Sequence, residues 1–275
     1  MSGNAESKLN AGYYRLMLYA ALFGAFSSLI TAGYITLYNQ GIKFFGQVNL
    51  SLFNINFWPL VLLSLAGVSI GLAIKFFGQH GGLGIAQRQY AQTGSINYRS
   101  LPSILLQAFI ALWSGAAVGP EGPLVFLTGG VGSFVSERLK LRKDDVQVLV
   151  YSAIAGGFGG FFGSPVIGAI GAFEYMYIKE LDFYRHLIPG LIAAAVGYGV
   201  YFAILHTSYL GIYSFPNFET PRLVDLVLAL LVGVIAGVIG IVFKVIFGIM
   251  NKAFGRLNRR PVGRAIIGGI IIGLI

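Results

Sequence analysis

Five stretches of the chain, Leu16–Tyr38, Phe57–Ile74, Leu101–Pro120, Val146–Phe173 and Leu187–Phe218, contain no Asp, Glu, Lys or Arg. Several reach the roughly 20 apolar residues that an α-helix needs to cross a bilayer core. A soluble domain carries about 25% charged residues; here the share is 11%, with 56% hydrophobic and a mean hydropathy of +0.76. So much apolar surface cannot be hidden inside a globule of 275 residues. Lipid must be the solvent for part of it, and the expected fold class is an all-α polytopic membrane protein. A β-barrel does not fit, because barrel strands alternate apolar and polar residues over about 10 positions and these runs do not.

The formal net charge of +9 does not require a nucleic-acid partner. With a cytoplasmic N-terminus and alternating segments, most basic residues fall on the inner side. These are Lys8 and Arg15; Lys75, Arg88 and Arg99; Arg138, Lys140, Arg142 and Lys143; Lys179 and Arg185; and Lys252, Arg256, Arg259, Arg260 and Arg264. Lys43 and Arg222 fall outside and Lys244 lies within a helix. The positive-inside rule accounts for this pattern. There is no cysteine, which excludes disulfides and thiolate metal sites, and no cofactor is expected. The first apolar run is too long for a signal-peptide core and lacks a cleavage pattern, so it is read as a retained helix.

The patterning predicts a polar N-terminal segment over 1–12, a helix at about Tyr13–Phe45, the loop GQVNLSLFNIN, and a helix at Trp58–Phe77. The glycine-rich hinge GQHGGLGIAQ then leads into a short polar helix. Two broken pairs follow: Pro102–Val118 with a helix starting near Pro120, and Val146–Phe162 with Pro165–Ile178 across GGFGGFFGSP. A helix at His186–Leu205, an outer loop at 206–222, a long helix at Leu223–Phe254 and a start from Ala265 complete the reading. Irregular backbone at membrane depth survives only inside protein or along a cavity, and paired broken helices point to a transport site. Most of the 39 glycines are expected to serve close helix packing; Gly82, Gly84, Gly119 and Gly122 are set apart because each sits beside a break.

A weak internal repeat is also present. Leu22–Gly46 aligns without gaps on Leu231–Gly255, and AGVSIGL at 66–72 on GGIIIGL at 268–274. The first copy would span 13–205 and a second would begin at 223–275, so the chain is expected to be a cut protein.

Between Ser100 and Ser136 one charged side chain occurs, Glu121, in the stretch GAAVGPEGPLVF. An acid at bilayer depth costs about 2.5–3.5 kcal/mol and is by default functional. Pro120 suits the first helical position, where a missing N–H costs nothing. The N–H groups of Glu121, Gly122, Leu124 and Val125 would then converge at a positive helix end able to hold an anion. The Glu121 carboxylate can occupy that place itself and release it when protonated or swung aside. Burial works against the charged form and the helix end works for it, which makes protonation a candidate gate. No Lys or Arg lies between Arg99 and Arg138 to pair with it.

GPEGP resembles the G-(K/R)-E-G-P signature of the CLC chloride channels and transporters. GSPVIGAIGAFE, Gly163–Glu174, is similar to that family's N-A-P-L-A-G segment with a following Glu-Glu pair, and GGLGIAQ sits where the family has G-S-G-I-P. The three occur in family order, and the likeness runs from about Tyr13 to the end. The resemblance implies an inverted-repeat fold with re-entrant helices, present here as the first repeat and the start of the second. It implies that Glu121 is the gating glutamate, competing with chloride. Backbone at Gly119, Glu121, Gly122 and Leu124 would serve the outer anion site, and Gly82, Leu83 and Gly84 the inner one. It further implies a homodimer with one pore per subunit, chloride or a similar small anion as cargo, protons as well in an antiporter, and a proton route through Glu121, Glu174 and Tyr175.

Three positions depart from the pattern. Pro120 replaces the basic residue; Leu83 and Ala86 replace the serine and proline of G-S-G-I-P; Tyr175 replaces the second glutamate beside a retained Glu174. Leu83 has no hydroxyl to offer an anion, and tyrosine, with an ordinary pKa of about 10, is a poor proton shuttle. The expected function is therefore glutamate-gated anion transport, with a channel slightly preferred to a chloride/proton antiporter. An intramembrane hydrolase would need H-E-x-x-H, paired aspartates or a buried histidine, none of which is read here; a non-transporting structural relative is the other alternative. His80, His186 and His206 are assigned surface or cap roles. Tyr13, Tyr14, Trp58 and Tyr98 are read as interfacial, Asp144-Asp145 as a helix N-cap, and Arg259 and Arg260 as topology-setting.

Overall fold

The computed structural model describes residues 2–48, 58–78, 81–116, 118–176, 183–206, 220, 222–255, 257 and 260–274. Among these it is all-helical: α1 Ser2–Val48, α2 Trp58–Phe77, α3 Leu83–Thr93, α4 Leu101–Trp113, α5 Glu121–Arg138, α6 Lys143–Phe162, α7 Pro165–Met176, α8 Phe183–Leu205, α9 Leu223–Gly255 and α10 Pro261–Leu274. A 3-10 turn occupies Tyr98–Ser100. Five of the helices are long and apolar enough to span a membrane. His80, Arg259, most of the 206–222 loop, most of the 46–56 loop and Ile275 lie outside the described residues.

α6 is the axis of the fold. Every residue from Val148 to Phe161 is buried, and α1, α5, α7 and α8 pack around it. Small residues permit this. A Cβ on Gly156 would run into the backbone of Gly24 in α1, one on Gly197 of α8 into that of Gly156, and one on Gly159 into that of Ala194. Backbones this close gain dispersion contacts that lipid cannot match. At the other extreme α9 buries no residue and is apolar on all sides, which is the pattern of a membrane span.

α2 and α10 form a second, antiparallel pair: Gly273 meets Leu60, Gly269 meets Leu63, Gly67 meets Ala265 and Gly71 meets Val262. AGVSIGL (66–72) and GGIIIGL (268–274) lie on these two helices, which run in opposite directions, each segment meeting the other helix most closely outside its matching stretch.

Several boundaries differ from the sequence reading. The helix begins at Ser2 rather than Tyr13; 2–12 holds no proline to interrupt the ladder. α4 stops at Trp113, not Val118: Ser114 Oγ donates to the Ala111 carbonyl at 2.7 Å, and Gly115 turns to φ +81°. α10 starts at Pro261 rather than Ala265, since proline is preorganised for a first helical position. The break between α6 and α7 falls where it was expected, after Phe162 and before Pro165; GGFGGFF itself belongs to α6, and Gly163, with φ 67°, supplies the left-handed C-cap.

Asp144 and Asp145 are not the N-cap either. That position is Arg142, whose carbonyl takes the first helical bond from Val146 N–H at 2.9 Å. The two acids sit in the first turn, where their charges suit the helix end, and Asp145 lies 3.7 Å from Arg185. His186 is buried rather than at the surface, edge-on to the Tyr151 ring at 5.7 Å, because the first turn of α8 leans on α6. The sequence reading saw no buried histidine; His186 corrects that.

Candidate functional site

The two helix starts singled out by glycine-bounded breaks, those of α3 and α5, come together. At α3, Gly82 adopts φ 123° and ψ 134°, a conformation essentially reserved for glycine. Its carbonyl accepts Ile85 N–H at 2.9 Å and Ala86 N–H at 3.2 Å. The N–H groups of Leu83 and Gly84, ahead of that bond, have no partner among the described residues. Nothing approaches a Cβ placed on Gly82 or Gly84 within 4 Å, so these glycines do not serve helix packing.

At α5 the Pro120 carbonyl accepts Leu124 N–H at 3.1 Å, placing Pro120 at the cap rather than at the first helical position. Pro123 has no N–H, so the groups left over at this end are those of Glu121 and Gly122. Leu124 N–H, expected at the anion site, is instead committed to the helix ladder, and Val125 lies a residue deeper. A helix start leaves its first donors unpaired and carries a partial positive charge. The two starts touch where the Leu83 side chain lies 3.9 Å from a Cβ position on Gly122.

Glu121 folds back across this junction. Its carboxylate covers the α-carbon of Gly119 so closely that a Cβ there would overlap Oε2, with Cδ at 2.8 Å. Among the described residues its carboxylate forms no ion pair. The carboxylate lies within electrostatic reach of Tyr34 and of Tyr175. Tyr175 also feels Glu174 and stacks edge-on against Phe158 at 5.4 Å. Glu174 itself is exposed on α7, apart from the junction. The structure thus gathers Gly82, Leu83, Gly84, Gly119, Glu121 and Gly122, brings Tyr175 to the edge, and leaves Glu174 outside.

Tyr34 was not singled out from sequence. Its hydroxyl makes a long hydrogen bond of 3.5 Å to the Pro120 carbonyl, tying α1 to the break before α5. The available signal was a hydroxyl in mid-span, which recurs too often in membrane helices to stand out. Among the described residues no group of three His, Asp or Glu is placed to hold a metal.

Comparison with known proteins bears on the family and the fold. Residues 65–275 match the family model described as voltage gated chloride channel. A chloride/fluoride channel protein of Pseudomonas syringae is 29% identical over 55% of this chain and 34% of its own length. A putative ion-transport protein YfeO of Salmonella choleraesuis is 27% identical over 94% of this chain and 63% of its own. An H(+)/Cl(-) exchange transporter ClcA of Vibrio cholerae is 25% identical over 78% and 46% respectively. The crystal structure of a slow cyanobacterial Cl-/H+ antiporter superposes with a TM-score of 0.78 at 20% identity, covering 94% of this chain and 63% of that one. The chain spans between about a third and 63% of the lengths of these proteins. With three motifs in order, two helix starts meeting at a lone carboxylate and a family model matching most of its residues, this multi-pass membrane chain belongs to the voltage gated chloride channel, or CLC, family.

Proposed function

We propose that this chain supplies the first half of a chloride pathway in which Glu121 is a tethered anion that competes with the permeating one. The observation that carries the reading is the Glu121 carboxylate folded over Gly119 where α3 and α5 begin. Four backbone donors, on Leu83, Gly84, Glu121 and Gly122, would hold chloride once the carboxylate leaves. Protonation neutralises the carboxylate and weakens its hold on a positive helix end, so acid should open the site. The N-terminus is taken as cytoplasmic from the distribution of Lys and Arg, and the working unit as a homodimer from the family resemblance.

A channel remains the preferred reading, since a tyrosine stands where exchangers carry a second glutamate. One observation favours the antiporter: the Tyr175 hydroxyl lies within electrostatic reach of both Glu121 and Glu174, so a proton could pass between the acids with water. The test is chloride flux through the full-length protein in liposomes. Glu121→Gln and Glu121→Ala should abolish its pH dependence, and unchanged pH dependence in both would remove Glu121 from the gate. Reversal potentials under opposed chloride and pH gradients separate the two readings: a channel follows chloride alone, an antiporter follows both.

A further inference from the structure

At the end of α5 away from Glu121, a cavity of about 790 Å³ opens between the end of α3, the Tyr98–Ser100 turn and the start of α6. This is the size of small-molecule pockets, about 300–1,000 Å³, and far more than a chloride ion needs. Its walls carry three cations, Arg99, Lys140 and Lys143, and one carboxylate, Glu137. Glu137 is already engaged, accepting the Tyr98 hydroxyl at 2.8 Å. None of the three cations is in an ion pair among the described residues. The acids in the first turn of α6, Asp144 and Asp145, are not part of the lining.

Ser136, a lining residue, is fully buried, and its Oγ has no hydrogen-bond partner among the described residues. Its neighbours behave otherwise: Ser133 and Thr128 each donate to the carbonyl four residues earlier at 2.8 Å. That oxygen is closed off by its surroundings, so the cavity offers a ligand its rim of cations and not a hydroxyl at its floor. Lys140 has φ 51°, the left-handed position of a helix-ending motif closed by Lys140 N–H to Glu137 O at 3.1 Å and Leu141 N–H to Ser136 O at 3.2 Å. Glycine occupies such a position at no steric cost. Lysine is held there against its preference, with its charge on the cavity wall.

We propose that this cavity binds a phosphate monoester, its dianion held by Arg99, Lys140 and Lys143. Three cations around one space suit a doubly charged group with several acceptor oxygens, and the Arg99 fork can take two of them. A soluble organic phosphate and a phosphomonoester lipid headgroup share this chemistry. The site is independent of the chloride pathway and does not require it.

The test uses full-length protein in nanodiscs and two matched probes: glycerol 3-phosphate added to phosphatidylcholine discs, and phosphatidic acid incorporated into the discs. The variant is Lys140→Gly, which removes a cation while placing glycine where the backbone favours it, so folding should be retained or improved. Binding of glycerol 3-phosphate by calorimetry, weakened on the order of tenfold in Lys140→Gly, identifies a soluble ligand. A thermal shift with phosphatidic acid alone, lost in Lys140→Gly, identifies a lipid. Binding of neither probe, or binding unchanged in Lys140→Gly and in Arg99→Gln, overturns the proposal.

Discussion

Gly119→Ala separates the seat of the Glu121 carboxylate from the carboxylate itself. Gly119 is not in the left-handed region, so alanine fits its backbone. The nearest atoms to the added methyl all belong to the Glu121 carboxyl group, with Cδ at 2.8 Å and Oε1 at 3.2 Å. Ordinary contact begins near 3.4 Å, so the carboxyl must withdraw by at least 3.4 − 2.8, about 0.6 Å at Cδ. Overpacking of one methyl typically costs about 1–3 kcal/mol. Because the obstructing atoms end a flexible side chain, that cost falls on the seated conformation rather than on the fold. At 1.4 kcal/mol per decade the seated-to-unseated ratio should fall on the order of 5- to 100-fold. In proteoliposomes the full-length Gly119→Ala protein should therefore pass chloride faster than wild type near neutral pH and respond less to acid, with unchanged thermal stability. In a Glu121→Ala background the same change should add nothing. A well-folded Gly119→Ala protein with wild-type flux and pH response would refute the competition between carboxylate and chloride.

Leu83→Ser places a hydroxyl donor beside the unpaired N–H groups of Leu83 and Gly84. A hydrogen bond worth about 0.5–1.5 kcal/mol net should tighten chloride binding roughly 2- to 10-fold by calorimetry, with a lower melting temperature from lost packing of a half-buried leucine. Gly156→Ala drives a methyl into the Gly24 backbone, whose carbonyl oxygen is 2.9 Å away. Because backbone cannot swing aside, α1 and α6 must part, at a cost of about 1–3 kcal/mol or more. Gly199→Ala, with nothing within 4 Å, should be neutral or stabilising by up to about 1 kcal/mol; fluorescence-detected thermal unfolding distinguishes the pair.

The spans of the fold were legible because helix formation in lipid is a local matter. An uninterrupted apolar run must satisfy its own backbone, so Trp58–Phe77 could be read to the residue. The lone acid stood out equally, since a charge within so apolar a stretch would be costly in hydrocarbon. Helix ends were less so. Whether Ser114 ends a helix depends on where its hydroxyl turns, and Asp144 and Asp145 were misread as caps because the ladder begins at Arg142. The role of GGFGGFF was undecidable from sequence, where glycine marks a break or a close approach equally well.

Sequence by itself therefore determined that the chain is helical and membrane-spanning, that Glu121 is its exceptional residue, and that Gly82 and Gly119 belong to breaks rather than to packing. These follow from the cost of charge and unpaired backbone in hydrocarbon, which each segment faces alone. Only the tertiary structure decided that the starts of α3 and α5 meet across Leu83 and Gly122, that Glu121 lies over Gly119, that Tyr34 ties α1 to Pro120, and that Lys140 and Ser136 share a cavity. Those are relations between segments far apart in the chain, set by how closely glycine-lined helices can approach α6, and no local pattern encodes them.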